Sequence, residues 1–313
     1  MMNLYVIGNG FDKALGIKTD YIDFRDFLYN YHPDFLASFE ETYGNCLESN
    51  RELVNASLWK NFEINLCNIA EDEIVDGATS LELGLDGGDI DVEDTMLEYW
   101  NEQYKFILRL QDYLREWVES ISISVPVKTD YIHPIYDGED DVTDDMFLTF
   151  NYTMVLEELY KISQDNICHI HGAVANRKQR LVIGHGDKEN SIRAREKMHE
   201  ARERYDDKRS SIYHALAEYY ERTKKDVAAH IENNRYFFGN LRDIQTVYIA
   251  GHSLGEVDIP YFSEIQKHTS ADTQWAVVLF NPNSQAYMES VLLKIGVKKD
   301  KISMMDCKQF YNR

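Results

Sequence analysis

The chain of 313 residues lacks several features that mark secreted and membrane proteins. Its four cysteines are scattered and form no Cys-x-x-Cys pair, which is typical of reduced thiols in the cytosol. No apolar run approaches the length of a membrane span, and the N-terminal residues do not have the pattern of a signal peptide. These absences predict a cytoplasmic protein without a membrane partner.

Positive charge is also scarce, since 33 Lys and Arg residues stand against 54 Asp and Glu residues and the formal net charge is −21. A field of this sign repels the nucleic-acid backbone, so a nucleic-acid partner is not expected. The basic-rich run at 193–225 contains nearly balancing acids and is typical of a solvated helix face. No His-Glu-x-x-His motif occurs, so no metal site is predicted.

What the chain does contain is a series of compact apolar runs. They are continuous rather than alternating, which is typical of strands buried on both faces. The runs lie at 3–8, 146–153, 166–172, 180–186, 246–253, 274–282 and 301–306. Helical patterns lie between several of them, at 153–163, 191–232, 258–268 and 284–295. Strands that alternate with helices indicate an α/β fold with a doubly wound, mostly parallel, Rossmann-like sheet.

The remaining helical material predicts insertions into this sheet. Residues 20–75 have a helical pattern, 95–121 predict a long amphipathic helix, and the acidic, glycine-rich stretch 82–94 predicts a loop. The α/β domain is therefore predicted to be discontinuous. We expect it to use 1–28, 146–190 and 240–313, with helical insertions at 29–145 and 191–239.

The stretch Gly-His-Ser-Leu-Gly at 251–255 matches the nucleophile elbow of serine hydrolases, with Ser253 as the attacking group. In such hydrolases an acid and then a histidine usually follow the serine along the chain. Here His268 is the only histidine after Ser253, and it comes too soon to lie at the end of a later strand. The oxyanion loop of two or more glycines is also missing. An esterase is therefore the least favoured alternative, and Ser253 is instead predicted to donate a hydrogen bond to a ligand.

Small or hydrogen-bonding residues follow nearly every predicted strand, where open parallel sheets bind their ligands. Such residues suit a nucleotide. The predicted binding residues are Gly8, Asn9, Gly10, Phe11, Asp12, Gly184, His185, Gly251, His252, Ser253 and Asp258. Gly8 and Gly10 let the backbone approach a diphosphate, or they serve only as a turn that leaves the strand. Lys13 stands where a dinucleotide fingerprint has its third glycine.

Five segments occur in a characteristic order: "VIGNGFDKALGIKTDYIDFRDFL", "FLTFNYTMVLEELY", "ICHIHGAV", "LVIGHG" and "YIAGHSLGEVDIPYF". Together they resemble the bacterial AbiH family, which is associated with abortive infection by phages. More distantly, the series is similar to sirtuin-like domains. Those have a glycine turn, an Asn-Tyr-Asp or Asn-Ile-Asp after a strand, a His-Gly, and a late glycine and serine loop.

The sirtuin-like resemblance implies a doubly wound NAD-binding sheet with an inserted helical module. Members in phage defence commonly hydrolyse NAD with an Asn and a His, which match Asn151 and His171 here. This chain differs at Thr153, which replaces the acid of Asn-Tyr-Asp, and it has no four-cysteine zinc module. NAD is thus expected as substrate, with no further cofactor and no metal. A nucleotide-binding sensor or toxin component without turnover is the alternative.

Chemical roles follow from cleavage of the nicotinamide–ribose bond, which builds positive charge on the sugar. His171 is expected to accept a proton from a ribose hydroxyl or from water, and Asn151 to hold the water or the ribose in line. Asp12 would bind a hydroxyl or orient His171, and Asp258 would cap a helix or contact the adenosine side. Because NAD depletion kills the host, we expect gating by a homo-oligomer or a protein trigger.

Overall fold

A computed structural model describes residues 2–45, 50–80, 109–123, 129, 131–132 and 144–311. The chain divides into two compact units. The first consists of Met1–Asp20, Arg115–Val182 and Asp226–Arg313, and the second of Tyr21–Leu114 and Ile183–Lys225.

Six strands of the first unit form one sheet in which every neighbouring pair is parallel. They are β1 (Met2–Ile7), β2 (Met146–Thr149), β3 (Ile167–His169), β4 (Ile244–Ala250), β5 (Gln274–Leu279) and β6 (Ile302–Asp306). Their order in the sheet is β3-β2-β1-β4-β5-β6. This is the order of a Rossmann sheet, and the predicted doubly wound α/β fold is confirmed.

The sheet is buried on both faces, which explains why its strands have continuous apolar sequences. Successive residues of β1 point to opposite faces, and so Leu4 and Val6 belong to one buried cluster while Tyr5 and Ile7 belong to another. A strand with only one buried face would instead alternate between apolar and polar residues.

The described helices surround this sheet or build the second unit. They are α1 (Asn9–Ala14), α2 (Tyr21–Tyr31), α3 (Pro33–Thr42), α4 (Arg51–Val54), α5 (Phe62–Asn65), α6 (Glu71–Thr79), α7 (109–120), α8 (Val155–Glu158), α9 (Glu189–Glu203), α10 (Asp207–Thr223), α11 (Val227–Asn233), α12 (Arg235–Gly239), α13 (Ile259–His268), α14 (Gln285–Lys294) and α15 (Cys307–Phe310). A π-helical turn, Asn55–Trp59, follows α4.

The second unit has a core of its own that includes a buried ion pair. Arg25 donates two hydrogen bonds to Glu40, at 2.7 and 3.0 Å, and Trp59 Nε1 donates to the same carboxylate at 2.7 Å. The rings of Phe39 and Phe62 pack on Trp59. Because each buried charge depends on these partners, removing one of them would leave the other charge buried and uncompensated.

The prediction of a strand at 180–186 is wrong. Its backbone makes isolated contacts: Val182 N donates to His171 O at 2.8 Å, and a single bridge joins His185 to Lys224. The apolar residues of the run are buried without a strand ladder, so burial there was not evidence of a strand.

Several predicted helices are shorter or divided in the structure. The helix at 153–163 is reduced to Val155–Glu158, and the segment 191–232 contains three helices, α9 to α11. The long helix predicted over 95–121 is described only as 109–120, and the loop predicted at 82–94 lies outside the described residues. The helices predicted at 258–268 and 284–295 are confirmed within one residue at each end.

Candidate functional site

The carboxyl ends of β1 and β4 lie side by side at the point where the strand order reverses. β1 pairs with β2 on one side and with β4 on the other. In doubly wound sheets, ligands bind beyond the carboxyl ends of the strands at this switch point. The segments that follow β1 to β4 therefore form the candidate site of the first unit.

Three glycines bring the turns after β1 and β4 into backbone contact. Gly8 donates its N–H to Ala250 O at 3.0 Å, and Gly10 donates to Gly251 O at 2.8 Å. Gly251 has a φ of 75°, and a Cβ there would lie 2.0 Å from Phe11 N. A Cβ on Gly8 would lie 2.7 Å from Gly251 O. The close packing of the two turns therefore requires these glycines.

Asn9 and Phe11, two further predicted binding residues, have protein partners. Asn9 is exposed and donates from Nδ2 to Thr19 O at 2.8 Å. Phe11 is fully buried, and its ring packs against Tyr160 and Tyr311. The Phe11 side chain thus belongs to the hydrophobic core and not to the surface of a site.

Asp12 is a buried carboxyl group in α1, with 1% of its surface exposed. Its Oδ2 accepts a hydrogen bond from Thr153 Oγ1 at 2.6 Å, and its Oδ1 has no hydrogen-bond partner among the described residues. Burial raises the pKa of Asp12 to about 6, against the opposing effect of hydrogen bonds from Thr153 and Asn151. Asp12 is therefore poised to exchange a proton near neutral pH.

Asn151 follows β2 and is held through its side chain and its backbone. Its Nδ2 donates to Gly8 O at 3.2 Å, and its backbone N–H donates to Thr149 Oγ1 at 3.1 Å. Asn151 O accepts from His169 Nδ1 at 3.2 Å, while His169 Nε2 faces Glu157 Oε1 at 2.8 Å. His169 therefore links the backbone of Asn151 to Glu157.

Asp258 lies between two buried histidines that follow β3 and β4. Its Oδ1 is 3.9 Å from His171 Nε2, and its Oδ2 is 3.4 Å from His252 Nε2. His252 Nδ1 accepts a hydrogen bond from Leu254 N at 2.9 Å, so the ring proton is on Nε2, facing the carboxylate. We name Asp258, His171 and His252 the Asp258 cluster. A carboxylate between two imidazoles is suited to holding and transferring protons.

An aromatic ring separates the Asp258 cluster from the sheet core. The Phe150 ring lies 5.0 Å from the His171 ring and 4.3 Å from the His252 ring, between centroids. The Tyr261 ring lies 5.9 Å from the His171 ring, again between centroids. This apolar packing limits the orientations of both imidazoles, which a fixed proton-transfer geometry needs.

Asp258 is the N-cap residue of α13, as predicted, but its side chain makes no capping hydrogen bond. Pro260 stands in the first turn of α13 and has no N–H that a cap would have to satisfy. The carboxylate faces His171 and His252 instead. His171 lies on another segment, so the local sequence around Asp258 contained no sign of that contact, whereas His252 lies in the loop just before Asp258.

Gly184 and His185 belong to the second unit, where they pack against the residues that end α10. His185 N donates to Thr223 O, and Lys225 N donates to His185 O, both at 2.9 Å. The His185 ring contacts Thr223 Oγ1 at 3.0 Å and the Asp187 N–H at 3.1 Å. A Cβ on Gly184 would lie 2.3 Å from Thr223 O. Both predicted binding residues therefore have structural partners within their own unit.

Ser253 is exposed, and no histidine in the described part of the chain hydrogen-bonds to its Oγ. The neighbouring His252 faces Leu254 N and Asp258 with its two nitrogens. His268 pairs with Glu264 at 2.9 Å within α13. The Gly-His-Ser-Leu-Gly loop thus lacks the serine–histidine contact of a hydrolase triad.

Sequence reasoning missed Thr153 and Glu157 as partners within this site. Thr153 stands where the Asn-Tyr-Asp motif has its acid, and that replacement was a signal that an acid from another segment, here Asp12, completes the arrangement. Glu157 and His169 form a pair across two segments, and neither position follows a recognisable motif.

The fold and the site define a Rossmann-like α/β protein with a cluster of one carboxylate and two histidines at the carboxyl ends of its strands. Within this class, the chain belongs to the bacteriophage abortive infection AbiH family, whose model matches residues 4–279. The AbiH resemblance in the sequence is thereby confirmed, and the family indicates a protein of phage defence by abortive infection. No curated protein and no solved structure matches the chain.

No group of three or more His, Cys, Asp or Glu side chains in the described part is arranged to hold a metal ion. None of the described helices combines the length and the apolar character needed to cross a membrane.

Proposed function

We propose that this phage-defence protein hydrolyses NAD to nicotinamide and ADP-ribose in the cytoplasm, with Asn151 and His171 as catalytic residues. The observation that carries the proposal is the Asp258 cluster, in which one carboxylate faces His171 and His252 at 3.9 and 3.4 Å. The order of motifs, similar to that of sirtuin-like domains, supports NAD as the substrate.

In the proposed reaction, the nicotinamide–ribose bond breaks and positive charge develops on the ribose. His171 accepts the proton of the attacking water, and Asp258 stabilises the imidazolium that forms. Asn151 orients the water or the ribose through its side-chain amide. Asp12 holds the Thr153 side chain, and its raised pKa, about 6, lets it hold a proton during the cycle.

A nucleotide-binding sensor without turnover is the second candidate, and one observation favours it. The Gly10 N–H and the Asn151 side chain, both expected to face a nucleotide, already donate to Gly251 O and Gly8 O within the protein. A binding site of this kind accepts a nucleotide only after these bonds rearrange, which suits a switch.

The proposal is tested by incubating the purified protein with NAD and measuring nicotinamide release. Asn151→Ala and His171→Ala should each lower the rate by about a hundredfold or more. The matched control is His268→Ala, because His268 also pairs with a carboxylate but lies in the last turn of α13, outside the cluster. Its rate should equal that of the wild-type chain.

Because we expect activity to be gated by self-association or by an infection trigger, the assay is run on each oligomeric state and in cells exposed to phage. If nicotinamide release is absent in all of them but calorimetry shows binding of a nucleotide, the hydrolysis proposal is wrong and the sensor is favoured. Ester hydrolysis that is abolished in Ser253→Ala would contradict both and favour an esterase.

A further inference from the structure

A groove with a volume of about 670 Å³ runs along β3 at the edge of the sheet. Its walls come from α8, from the segment after β3 and from the corner between α11 and α12, all in the first unit. This volume is typical of small-molecule sites. Glu157 and His169 line the groove and connect it to the Asn151 backbone, but none of the proposed catalytic or nucleotide-binding residues lines it, so the NAD proposal does not account for the groove.

The lining of this groove is acidic and rich in hydrogen-bonding groups. Glu157 and Asp165 contribute carboxylates, and no described Lys or Arg is among the lining residues. Side-chain amides join them, from Gln164, Asn176, Gln179, Asn233, Asn234 and Asn240. A phosphate or carboxylate ligand would be repelled here, whereas a cation with several N–H donors is complementary.

Glu157 is the best-buried carboxylate of the groove, with 12% of its side chain exposed. Its Oε1 pairs with His169, and its Oε2 has no hydrogen-bond partner in the described part of the chain. Buried carboxylate oxygens are nearly always hydrogen-bonded, and Oε2 is the Glu157 oxygen that can accept a further hydrogen bond when a donor enters the groove.

An aromatic ring stands at the α12 side of the same groove. Tyr236 is 83% exposed, although a ring of this size usually covers apolar surface. Its neighbour Phe237 is partly buried and also lines the groove. A planar cation can stack on such a ring while its edge reaches a carboxylate.

We propose that this groove binds a guanidinium group, with Glu157 as counter-ion and Tyr236 as stacking surface. A guanidinium is planar, permanently charged and has five N–H donors, which match a carboxylate and several amide oxygens. A lysine-type ammonium lacks the planar face. The group is carried either by a small molecule or by an arginine side chain of a partner protein, and the chemistry of recognition is the same.

Calorimetry with the full chain at about 150 mM salt tests the proposal, since this salt screens the general attraction of cations to an acidic protein. The probe is agmatine, and its control is N-carbamoylputrescine, in which an uncharged urea replaces the guanidinium. Agmatine should bind at least about tenfold more tightly, because only the charged fork pairs with Glu157.

Two variants locate the site. Glu157→Gln should weaken agmatine binding about tenfold or more, and Tyr236→Ala should weaken it about threefold to tenfold. Tyr236 is exposed, so its variant should fold normally even if Glu157→Gln, which breaks the pair with His169, does not. Tyr205→Ala is the matched control, since Tyr205 is 91% exposed and lies in the second unit.

A third comparison separates the two sources of the group. Acetyl-Gly-Arg-Gly-amide is compared with its citrulline analogue. Tighter binding of the arginine peptide than of agmatine supports an arginine side chain, and binding of agmatine alone supports a small molecule. Equal binding of agmatine and N-carbamoylputrescine, or unchanged agmatine binding in both Glu157→Gln and Tyr236→Ala, would overturn the proposal.

Discussion

At the scale of single residues, Asp258 and Asp12 decide most of what the candidate site can do. Both are acids with a partner from a distant part of the chain: Asp258 faces His171 as well as the nearby His252, and Asp12 accepts from Thr153. An isolated buried carboxylate would be expensive, so the placement of these groups indicates chemistry rather than stability.

Asp258→Asn keeps the shape of the side chain but removes its charge. Under the proposed hydrolysis, nicotinamide release should fall about tenfold to a hundredfold, because the imidazolium of His171 loses its counter-charge. Glu264→Gln is the control, since Glu264 also pairs with a histidine and also belongs to α13. Equal rates for the two variants in a nicotinamide-release assay would show that Asp258 does not act on His171.

Asp12→Asn should change the pH dependence of stability. The folded-state pKa of Asp12 is about 6 against 3.8 for the free group, so the folded protein binds the proton more tightly than the unfolded chain does. The contribution of Asp12 to the free energy of unfolding is therefore fully present below pH 3.8 and is lost as the pH rises toward 6. The loss is about 3 kcal/mol at most.

The Asp12→Asn variant has no charge to bury, and its Oδ1 can still accept from Thr153. Its unfolding free energy should thus exceed that of the wild-type chain at pH 7 and lack the loss between pH 4 and 6, as measured by urea titration at several pH values. A variant that is less stable than wild type at pH 7 would mean that the ionised carboxylate is itself stabilising.

At the scale of elements, the turns after β1 and β4 are the most constrained part of the first unit. Gly251→Ala should cost about 3 kcal/mol or more, because it combines a φ of 75° with a Cβ only 2.0 Å from Phe11 N. Gly16→Ala is the matched control, since Gly16 has a φ of 83° but no atom within 4 Å of the added Cβ.

The Gly16 variant should lose only about 1 kcal/mol, which is the cost of the backbone conformation alone. Denaturant unfolding of the two proteins separates the two contributions. Similar losses in both would indicate that the turns can move apart at little cost, and that the contact between Gly10 and Gly251 is not what holds them.

At the scale of the whole molecule, the net charge of −21 opposes compactness through self-repulsion. Raising NaCl from about 20 to 300 mM shortens the Debye length from roughly 20 to 6 Å, so the melting temperature should rise by a few degrees. Differential scanning calorimetry measures this. A melting temperature that falls with salt would show that surface ion pairs outweigh the repulsion.

Much of the fold could be predicted because parallel strands buried on both faces have continuous apolar sequences, as in β1, β4 and β5. The run at 180–186 has the same composition and is buried, yet forms no strand. An apolar composition indicates that a segment is buried. Whether the segment also forms a strand depends on a neighbouring strand with which it can share backbone hydrogen bonds.

The candidate site was predictable in part, for a related reason. Gly8, Asn151, His171 and His252 could be found because strand ends are visible in the sequence and parallel strands bring those ends together. Gly184 and His185 were chosen by the same rule, but the segment that contains them is not a strand and belongs to the second unit.

The sequence by itself determined that the chain would form a doubly wound α/β sheet, since apolar periodicity and strand–helix alternation are local properties. The tertiary structure alone decided which side chains meet: Asp258 with two histidines, Asp12 with Thr153, Gly10 with Gly251. Except for Asp258 with His252, these pairings join residues far apart in the chain. They depend on how the folded chain orients each buried polar group toward its partner, and no local sequence pattern specifies that orientation.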